Sequence, residues 1–244
     1  MTCKQYFYPE SRFGGFSDRD STVTFYIRVN ALLERAYTVL DFGCGRGVYP
    51  NITAFMRDLR NLRGKVARVI GVDVDPSAEA NPLLDEFHLL ENGSSSWPVE
   101  SASVDLLLCD WVLEHIEKPE RFFSEAFRVI RPGGKLCIRT SNRWSYVSIF
   151  SRLIPERMHT TVLAAVQPKR NAEDVYPTYY ACNTFPAIKR AMHKSGFNGI
   201  VYGNVAEPSY LEFSCFVYGL GVLLHKITPR RFAQTIYAFA EKTG

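Results

Sequence analysis

The stretch Tyr37-Thr-Val-Leu-Asp-Phe-Gly-Cys-Gly-Arg-Gly47 carries the strongest structural signal in this sequence. Its apolar residues predict a buried parallel strand that closes on Asp41, and a helix is predicted over residues 49–59. Gly43, Gly45 and Gly47 separate the two elements, where the backbone must turn tightly and a ligand can approach without meeting a Cβ atom. Free N–H groups at such a turn favour an anionic group. The stretch therefore predicts a nucleotide-type site, and an ordinary turn between strand and helix is the alternative.

The spacing of the glycines distinguishes between types of nucleotide. The dinucleotide fingerprint is G-x-G-x-x-G with an acidic residue about 20 positions later. Here the third glycine comes one residue early, Asp41 precedes the first, and the next acid at a strand end, Asp73, lies further along the chain. This pattern disfavours a dinucleotide site.

Composition and charge exclude several classes of protein. The chain has 244 residues, of which 46% are hydrophobic and 22% charged, as in an ordinary soluble domain. The net charge is +4 without a basic run, so nucleic acid is not expected as a partner. The N-terminus lacks an apolar signal region, and the longest apolar stretch, 211–224, is shorter than a membrane-spanning helix requires. We expect a cytoplasmic protein with no transmembrane segment.

The six cysteines form no C-x-x-C pair. Several lie in or beside predicted core strands, so we expect reduced core residues, with neither disulfides nor a metal site.

Strands and helices alternate along residues 37–142. A helix is predicted over 21–36 from the spacing of its apolar residues, and another over 120–130. Further strands are predicted at 65–75, 87–90, 103–110 and 135–140, with a turn at 131–134. This alternation predicts an α/β fold of Rossmann-like, doubly wound type, with a mostly parallel seven-stranded sheet and helices on both faces.

Beyond residue 142 the pattern changes to helical, substrate-side insertions. A helix capped by Asn183 or Thr184 is predicted to stop at Gly196, and strands near 197–203 and 234–242 complete the sheet. The insertions are 143–182 and 204–232. We therefore divide the chain into an aromatic N-terminal segment and helix (1–36) that close over the ligand, a binding core (37–142), and a substrate-side part (143–244).

A capping box at Ser209-Tyr-Leu-Glu212 is predicted to open an apolar helix that runs to residue 224. Burial in the core is the expected role of this helix. The alternative is a lid, or a surface that meets lipid-like substrates or a dimer partner.

Four motifs in residues 37–142 resemble those of class I S-adenosylmethionine (SAM) methyltransferases, particularly the subgroup that contains quinone-biosynthesis and other small-molecule enzymes. They are Val39-Leu-Asp-Phe-Gly-Cys-Gly-Arg-Gly47, Ile70-Gly-Val-Asp73, Ser103-Val-Asp-Leu-Leu-Leu-Cys-Asp-Trp-Val-Leu-Glu-His115 and Phe127-Arg-Val-Ile-Arg-Pro-Gly-Gly134. The resemblance implies that Asp41 and the glycines flank the methionine part of SAM and that Asp73 binds the ribose. The cofactor-binding residues predicted in this way are Asp41, Gly43, Cys44, Gly45, Gly47, Asp73, Val74, Asn92, Gly93, Cys109, Asp110 and Trp111.

Candidate catalytic residues follow from chemistry, since a hydroxyl acceptor needs a base. His115 and His159 have a suitable unperturbed pKa. Tyr179 and Tyr180 either line an acceptor pocket or pack. Some quinone-pathway relatives carry an acidic residue at the position of Trp111, which completes a metal cluster with residues that match Glu114 and His115. Here Trp111 leaves that cluster incomplete, so we expect no metal.

The sequence thus predicts O-methylation of a small-molecule, sugar- or lipid-linked acceptor by in-line transfer from SAM, with S-adenosylhomocysteine (SAH) as product. The stretches Asp174-Val-Tyr-Pro-Thr-Tyr-Tyr180 and Pro208-Ser-Tyr-Leu resemble substrate-side regions of bacterial members found near glycan or lipid genes. The alternatives are a non-catalytic SAM- or SAH-binding regulator and a NAD-dependent oxidoreductase. Peripheral contact with lipid is compatible with the sequence, and the oligomeric state is left open.

Overall fold

The computed structural model describes residues 1–49, 52–91, 94, 96–153 and 176–243. A seven-stranded sheet runs through it in the order β3-β2-β1-β4-β5-β7-β6. Six strands run in the same direction, and β7 is antiparallel to both of its neighbours, β5 and β6. The strands are β1 (Thr38–Phe42), β2 (Arg68–Asp73), β3 (Glu86–Leu89), β4 (Val104–Asp110), β5 (Ile130–Ser141), β6 (Phe197–Asn204) and β7 (Thr235–Lys242). The predicted fold class is confirmed.

Helices pack on both faces of this sheet. The helices in the described residues are α1 (Cys3–Phe7), α2 (Ser21–Ala31), α3 (Ala54–Arg60), α4 (Pro119–Val129), α5 (Tyr146–Leu153), α6 (Phe185–Lys194) and α7 (Cys215–Ile227). Short 3-10 turns occur at Pro9–Arg12, Pro76–Ala80, Leu113–His115, Ser209–Leu211 and Arg230–Phe232.

The core consists of two layers, one on each side of the central strands. Leu40 and Leu107 face the layer that contains α4 and α6, while Val39 and Leu106 face the layer that contains α2 and α3. All four are fully buried. A parallel strand buried on both faces needs a continuous apolar sequence, and that is the signal by which β1 and β4 were predicted.

The helix after the glycine turn is shorter than predicted. It was expected over 49–59, but α3 begins after Thr53, whose side chain accepts a hydrogen bond from the backbone N–H of Met56 at 3.2 Å. This cap fixes the start of the helix because Thr53 itself has extended backbone. Similarly, α2 ends at Ala31 and not at residue 36.

The boundaries of α6 agree with the prediction. Thr184 is the N-cap, with its side chain accepting from the N–H of Ala187, and Pro186 occupies the first turn. The chain leaves the helix through Gly196 at φ +87°, a conformation that favours glycine.

The segment 131–134, predicted as a turn, is instead part of β5. A register shift between Val104 and Leu106 on the neighbouring strand accommodates it, and Gly133 adopts φ +77°. The irregularity therefore lies within the ladder, as in a β-bulge, and does not end the strand.

The apolar helix differs from its prediction in both its start and its burial. Ser209–Leu211 is a separate 3-10 turn, and α7 begins at Cys215 after Ser214, so the predicted capping box is wrong. Only Tyr218, Gly221 and His225 of α7 are buried. Its remaining large apolar side chains are mostly exposed, so the expected burial in the core is also wrong. The helix lies on the outside of the domain, where only one face can be covered.

The N-terminal segment is joined covalently to α7. Cys3 and Cys215 form a disulfide with a Cα–Cα distance of 5.0 Å, which corrects the expectation that the cysteines are all reduced. Cys44, Cys109, Cys137 and Cys182 are free and buried, as expected. Sequence could not pair residues 212 positions apart. Disulfides are typical of oxidising compartments, and the expected cytoplasmic location stays a prediction.

No helix in the described ranges is long and apolar enough to cross a membrane.

Candidate functional site

The glycine turn lies where the strand order of the sheet reverses. From β1 the chain proceeds to β2 and β3 on one side, and then returns to β4 on the other. In open α/β sheets this position, beyond the carboxyl ends of the strands, is where ligands bind. Asp41, Asp73 and Asp110 lie at or near the carboxyl ends of β1, β2 and β4. The candidate site is therefore a crevice at this edge.

The three glycines of the turn all have left-handed backbone, with φ values of +72° at Gly43, +53° at Gly45 and +66° at Gly47. A Cβ atom at Gly43 would collide with Val112, and one at Gly47 would collide with Asn81. At Gly45 it would meet nothing within 4 Å. Two glycines thus allow close packing of the protein on itself, while the third has open space where a Cβ atom would lie.

Asp73 holds the turn in place. Its Oδ2 atom accepts a hydrogen bond from the N–H of Gly45 at 2.8 Å, and its Oδ1 atom accepts one from the N–H of Asp75 at 2.9 Å. A carboxylate has about four acceptor positions. Asp73 can therefore stabilise the turn and still accept hydroxyl groups from a ligand. Val74 follows it and is 44% exposed.

The carboxyl group of Asp41 is protonated more readily than an ordinary aspartate. Burial raises its pKa to about 7, and the neighbouring Asp110 acts in the same direction. Arg60 opposes this shift. A cationic group placed beside Asp41 would stabilise its charged form, so this position suits a ligand with a positive charge.

Asp110 belongs to a buried ion-pair network. Its two oxygens accept from Nε and Nη2 of Arg139 at 2.5 and 2.7 Å, and Oδ2 also accepts from the hydroxyl of Tyr26 at 2.9 Å. Arg60 approaches the same oxygen at 3.4 Å. Although burial acts to raise it, the pKa of Asp110 is lowered, with Arg139 as the principal cause. Asp110 therefore joins α2 and α3 to β5.

The side chains of Arg139, Arg60 and Tyr26 were not singled out in the sequence. Arg139 interrupts a buried apolar strand, and a fully buried arginine needs a carboxylate partner. Its position in β5 was therefore the sequence signal that could have indicated a buried ion pair. Arg60 gave a weaker signal. Besides its contact with Asp110, its guanidinium lies over two aromatic rings, 3.7 Å from the ring centroid of Tyr49 and 5.0 Å from that of Tyr26.

Trp111 is partly exposed at the sheet edge, whereas Cys109 and Cys44 are buried. The Trp111 backbone is left-handed at φ +59°, its ring faces the guanidinium of Arg139 at 5.3 Å, and the side chain is 38% exposed. Cys109 is fully buried in the core behind the edge. Cys44 is also buried, and burial raises the pKa of its thiol. Trp111 is thus partly exposed at the sheet edge, whereas Cys109 packs inside the core.

The segment 176–180 connects two sides of the crevice. The carbonyl of Pro177 lies 2.7 Å from Nδ1 of His115, and the N–H groups of Tyr179 and Tyr180 donate to the carbonyl of Glu114 at 2.9 and 3.2 Å. The Tyr176 hydroxyl donates to Asp75, beyond β2, at 3.3 Å. The structure therefore brings His115 and both predicted tyrosines together next to the end of β4. Asn92, Gly93 and His159 lie outside the described residues.

A second buried polar cluster lies below His115. Glu114 accepts from the hydroxyl of Thr140 at 2.7 Å, and Thr140 in turn accepts from Nδ2 of Asn183 at 2.6 Å. Burial raises the pKa of Glu114. This cluster was missed because its members are far apart in sequence. It fixes the 3-10 turn that carries His115 against β5 and against the segment that leads into α6.

Taken together, the sheet order, the antiparallel β7 and the glycine turn at the reversal point are those of the Rossmann-like methyltransferase fold. A family model described as a methyltransferase domain matches residues 40–138. The predicted resemblance to SAM-dependent methyltransferases is confirmed for this domain.

Relatives found by sequence are also named as methyltransferases. A probable S-adenosylmethionine-dependent methyltransferase of Mycolicibacterium smegmatis is 34% identical over 113 residues, which cover 44% of this chain and 39% of the relative. A ubiquinone biosynthesis O-methyltransferase of Pseudomonas putida is 31% identical over 134 residues, covering 48% of this chain and 51% of the relative. The chain therefore spans about half or less of the length of these relatives.

Solved structures share the fold at low sequence identity. Geranyl diphosphate C-methyltransferase from Streptomyces coelicolor A3(2) gives a TM-score of 0.54 at 13% identity, with 91% of this chain and 79% of the other covered. A possible histamine N-methyltransferase from Thermotoga maritima gives 0.54 at 17% identity, with 99% and 98% covered.

Proposed function

We propose that this protein is a methyltransferase that uses SAM and transfers the methyl group to an oxygen atom of a small-molecule, sugar- or lipid-linked acceptor. The observation that carries the proposal is the open side of Gly45, which lies between Asp41 and Asp73 at the reversal point of the sheet. The match of residues 40–138 to a methyltransferase domain supports it.

The residues around the turn fit SAM in charge and shape. Asp41, with its pKa raised to about 7 by burial, would gain from the ammonium group of the methionine part. The uncovered backbone at Gly45 allows that part to approach closely. Asp73 would accept the ribose hydroxyls, and the exposed Val74 would pack against the adenine. Bound SAM would supply a methyl group that is already activated by the sulfonium charge.

Two residues of the N-terminal part of the chain, Tyr26 and Phe16, contact elements at this crevice. Tyr26 of α2 reaches Asp110, and Phe16 stacks on Phe55 of α3 with 5.2 Å between the ring centroids. We propose that the N-terminal segment excludes water from the reacting centre, where a dry site favours loss of the sulfonium charge.

His115 is the candidate base for a hydroxyl acceptor. Its Nδ1 atom faces the carbonyl of Pro177, which can only accept, so this nitrogen carries the proton in the neutral ring. Nε2 then has the lone pair that could take a proton from the acceptor. Tyr179, which is 51% exposed, and Tyr180 flank it and would contact the acceptor. Transfer to oxygen is favoured over transfer to carbon by this base and by the O-methyltransferase relatives.

The decisive experiment compares two glycines that differ in location but not in local conformation. Gly45 at φ +53° and Gly64 at φ +81° both have open space where a Cβ would lie. Gly45→Ala and Gly64→Ala should each lose about 1 kcal/mol of stability from backbone strain. Only Gly45→Ala should weaken SAH binding in isothermal titration calorimetry, by tenfold or more. Equal SAH affinity in both variants would contradict the placement of the cofactor.

The other readings make different predictions. A NAD-dependent oxidoreductase would be stabilised in a thermal-shift assay by NAD and not by SAH. A non-catalytic regulator would bind SAH yet transfer no label from methyl-labelled SAM to any fraction of a cell extract. Label in a lipid, glycan or small-metabolite fraction would support the enzyme and identify the class of acceptor.

A further inference from the structure

The outer side of α7 presents a row of large apolar side chains to solvent. Phe216 is 76% exposed, Leu220 52%, Leu223 58% and Ile227 73%. At 3.6 residues per turn, these four positions fall within about 60° of one another around the helix axis. They form a single stripe about 16 Å long, at 1.5 Å of rise per residue. We call these four residues the α7 stripe.

The opposite side of the same helix is firmly packed. Tyr218, Gly221 and His225 are buried, and a Cβ atom at Gly221 would press on Leu211 and Pro208. The disulfide between Cys3 and Cys215 fastens the start of the helix to α1. The helix thus has a fixed orientation, and that orientation directs the α7 stripe outward.

Aromatic side chains of α1 lie beside the helix. The ring of Phe7 approaches α7 at Gly219, where a Cβ atom would meet it, and Tyr6 packs edge-on against Phe7 at 5.0 Å. Tyr6 is itself 67% exposed. Tyrosine is enriched at the boundary between membrane and water because its ring is apolar and its hydroxyl is polar.

Positive charge follows the stripe at its C-terminal end. Lys226, Arg230 and Arg231 are all exposed, and Arg231 also stacks on the ring of Phe232 at 4.9 Å. Between residues 213 and 232 the sequence contains no Asp or Glu. The burial of His225 lowers its pKa to about 4, so this residue is neutral and adds no charge.

We propose that the α7 stripe and these three cations dock the protein on the surface of an anionic lipid bilayer. The apolar side chains would enter the headgroup region while the cations meet lipid phosphates, as in other helices that lie in a membrane interface. A second copy of the same segment would offer the cations no carboxylate, whereas an anionic surface neutralises all three. This docking does not depend on the proposed methyl transfer.

Vesicle flotation tests the proposal on the full chain. The protein should float with vesicles of phosphatidylcholine and phosphatidylglycerol, float less with phosphatidylcholine alone, and be released from the mixed vesicles by salt. Leu220→Glu/Leu223→Glu should abolish flotation. The matched control is Ile200→Glu on β6, where the side chain is 62% exposed, and it should float like the unmodified protein.

Charge reversal gives a second and independent readout. Lys226→Glu and Arg230→Glu should each reduce vesicle affinity by about fivefold or more. Lys189→Glu reverses an exposed charge on α6 and should have little effect. Circular dichroism and SAH binding should be unchanged in all these variants, because the altered side chains point into solvent and lie apart from the glycine turn.

Three results would overturn the proposal. One is the absence of flotation with mixed vesicles, and another is an equal loss of flotation in the α7 variants and their controls. The third is a dimer in sedimentation experiments that Leu220→Glu/Leu223→Glu dissociates, without any binding to vesicles. That result would assign the α7 stripe to contact between copies of the chain.

Discussion

The crevice at the sheet edge buries charged side chains, whereas the outer side of α7 exposes apolar side chains to solvent. In the crevice, Asp110 and Arg139 are charged, buried and bonded to each other. On α7, Phe216 and Ile227 are apolar, exposed and without a neighbouring cover in the described part of the chain. Buried charges make the first region sensitive to substitution, since each group depends on its partner. Side chains in solvent contribute little to folding, so the second region is free to be selected for contacts outside the molecule.

The largest expected effect tests the cost of disturbing the crevice. Arg139→Gln should lower the free energy of unfolding by about 3–5 kcal/mol in urea denaturation, because Asp110 is left as a buried charge without its bidentate partner. Arg63→Gln is the matched control, since this arginine pairs with Asp85 but is 51% exposed, and it should cost no more than about 1 kcal/mol. Similar losses in both variants would remove the distinction between buried and exposed pairs.

A smaller effect is expected within the glycine turn. Gly47→Ala should cost about 2–3 kcal/mol, since the strain of a left-handed residue adds to a collision with Asn81. Nδ2 of Asn81 donates to the carbonyls of Cys44 and Gly45 at 3.1 and 2.9 Å, so its displacement disturbs the whole turn. Gly64→Ala, with strain alone, should cost about 1 kcal/mol. Equal thermal shifts in the two variants would show that Asn81 can move freely.

The pH dependence of stability should show the burial of Asp41. Its folded-state pKa of about 7 lies above the ordinary value of 3.8, so the folded state holds a proton that the unfolded state releases. This contribution to stability is complete below about pH 4 and is lost as the pH rises through 7. Unfolding free energy should therefore fall by about 1 kcal/mol between pH 6 and 8, and Asp41→Asn should remove this decrease.

Saturating SAH should reverse this fall of the unfolding free energy with pH, because an ammonium group next to Asp41 favours the charged carboxylate. If the stability of the unmodified protein is as independent of pH between 6 and 8 as that of the Asp41→Asn variant, the raised pKa of Asp41 is contradicted.

The smallest effect belongs to the α7 stripe. Phe216→Ala should change the free energy of unfolding by less than about 0.5 kcal/mol, because the ring is already in water. Phe123→Ala, at a fully buried position of α4, should cost about 3–5 kcal/mol by leaving a cavity. A loss above about 1 kcal/mol at Phe216 would mean that its ring is covered in solution, contrary to the exposed stripe.

Local sequence signals were sufficient for the central fold. The apolar runs of β1 and β4 reflect strands buried on both faces, and the glycines reflect a turn that only they can adopt. The position of Asp73 could be predicted for the same reason, since it closes an apolar strand. The predicted role of each cofactor residue stays a prediction, although the structure brings the described ones to one edge of the sheet, with Cys109 buried behind it.

Contacts between residues that are far apart in the chain could not be predicted from the sequence. The partners of Asp110 come from α2, α3 and β5, and the disulfide joins the N-terminal segment to α7. The exposure of α7 was misjudged for a different reason. An apolar composition predicts that a helix is covered, but it does not say whether the cover belongs to the same molecule.

The disulfide between Cys3 and Cys215 also makes a closed covalent ring of most of the chain. Of the seven strands described, only β7 lies outside this ring, and it is inserted between two strands that lie within it, β5 and β6. A single cut of the backbone anywhere inside the ring leaves one molecule on a non-reducing gel, and a reducing agent separates it into two fragments. A cut after residue 215 releases the tail that carries β7 in either condition.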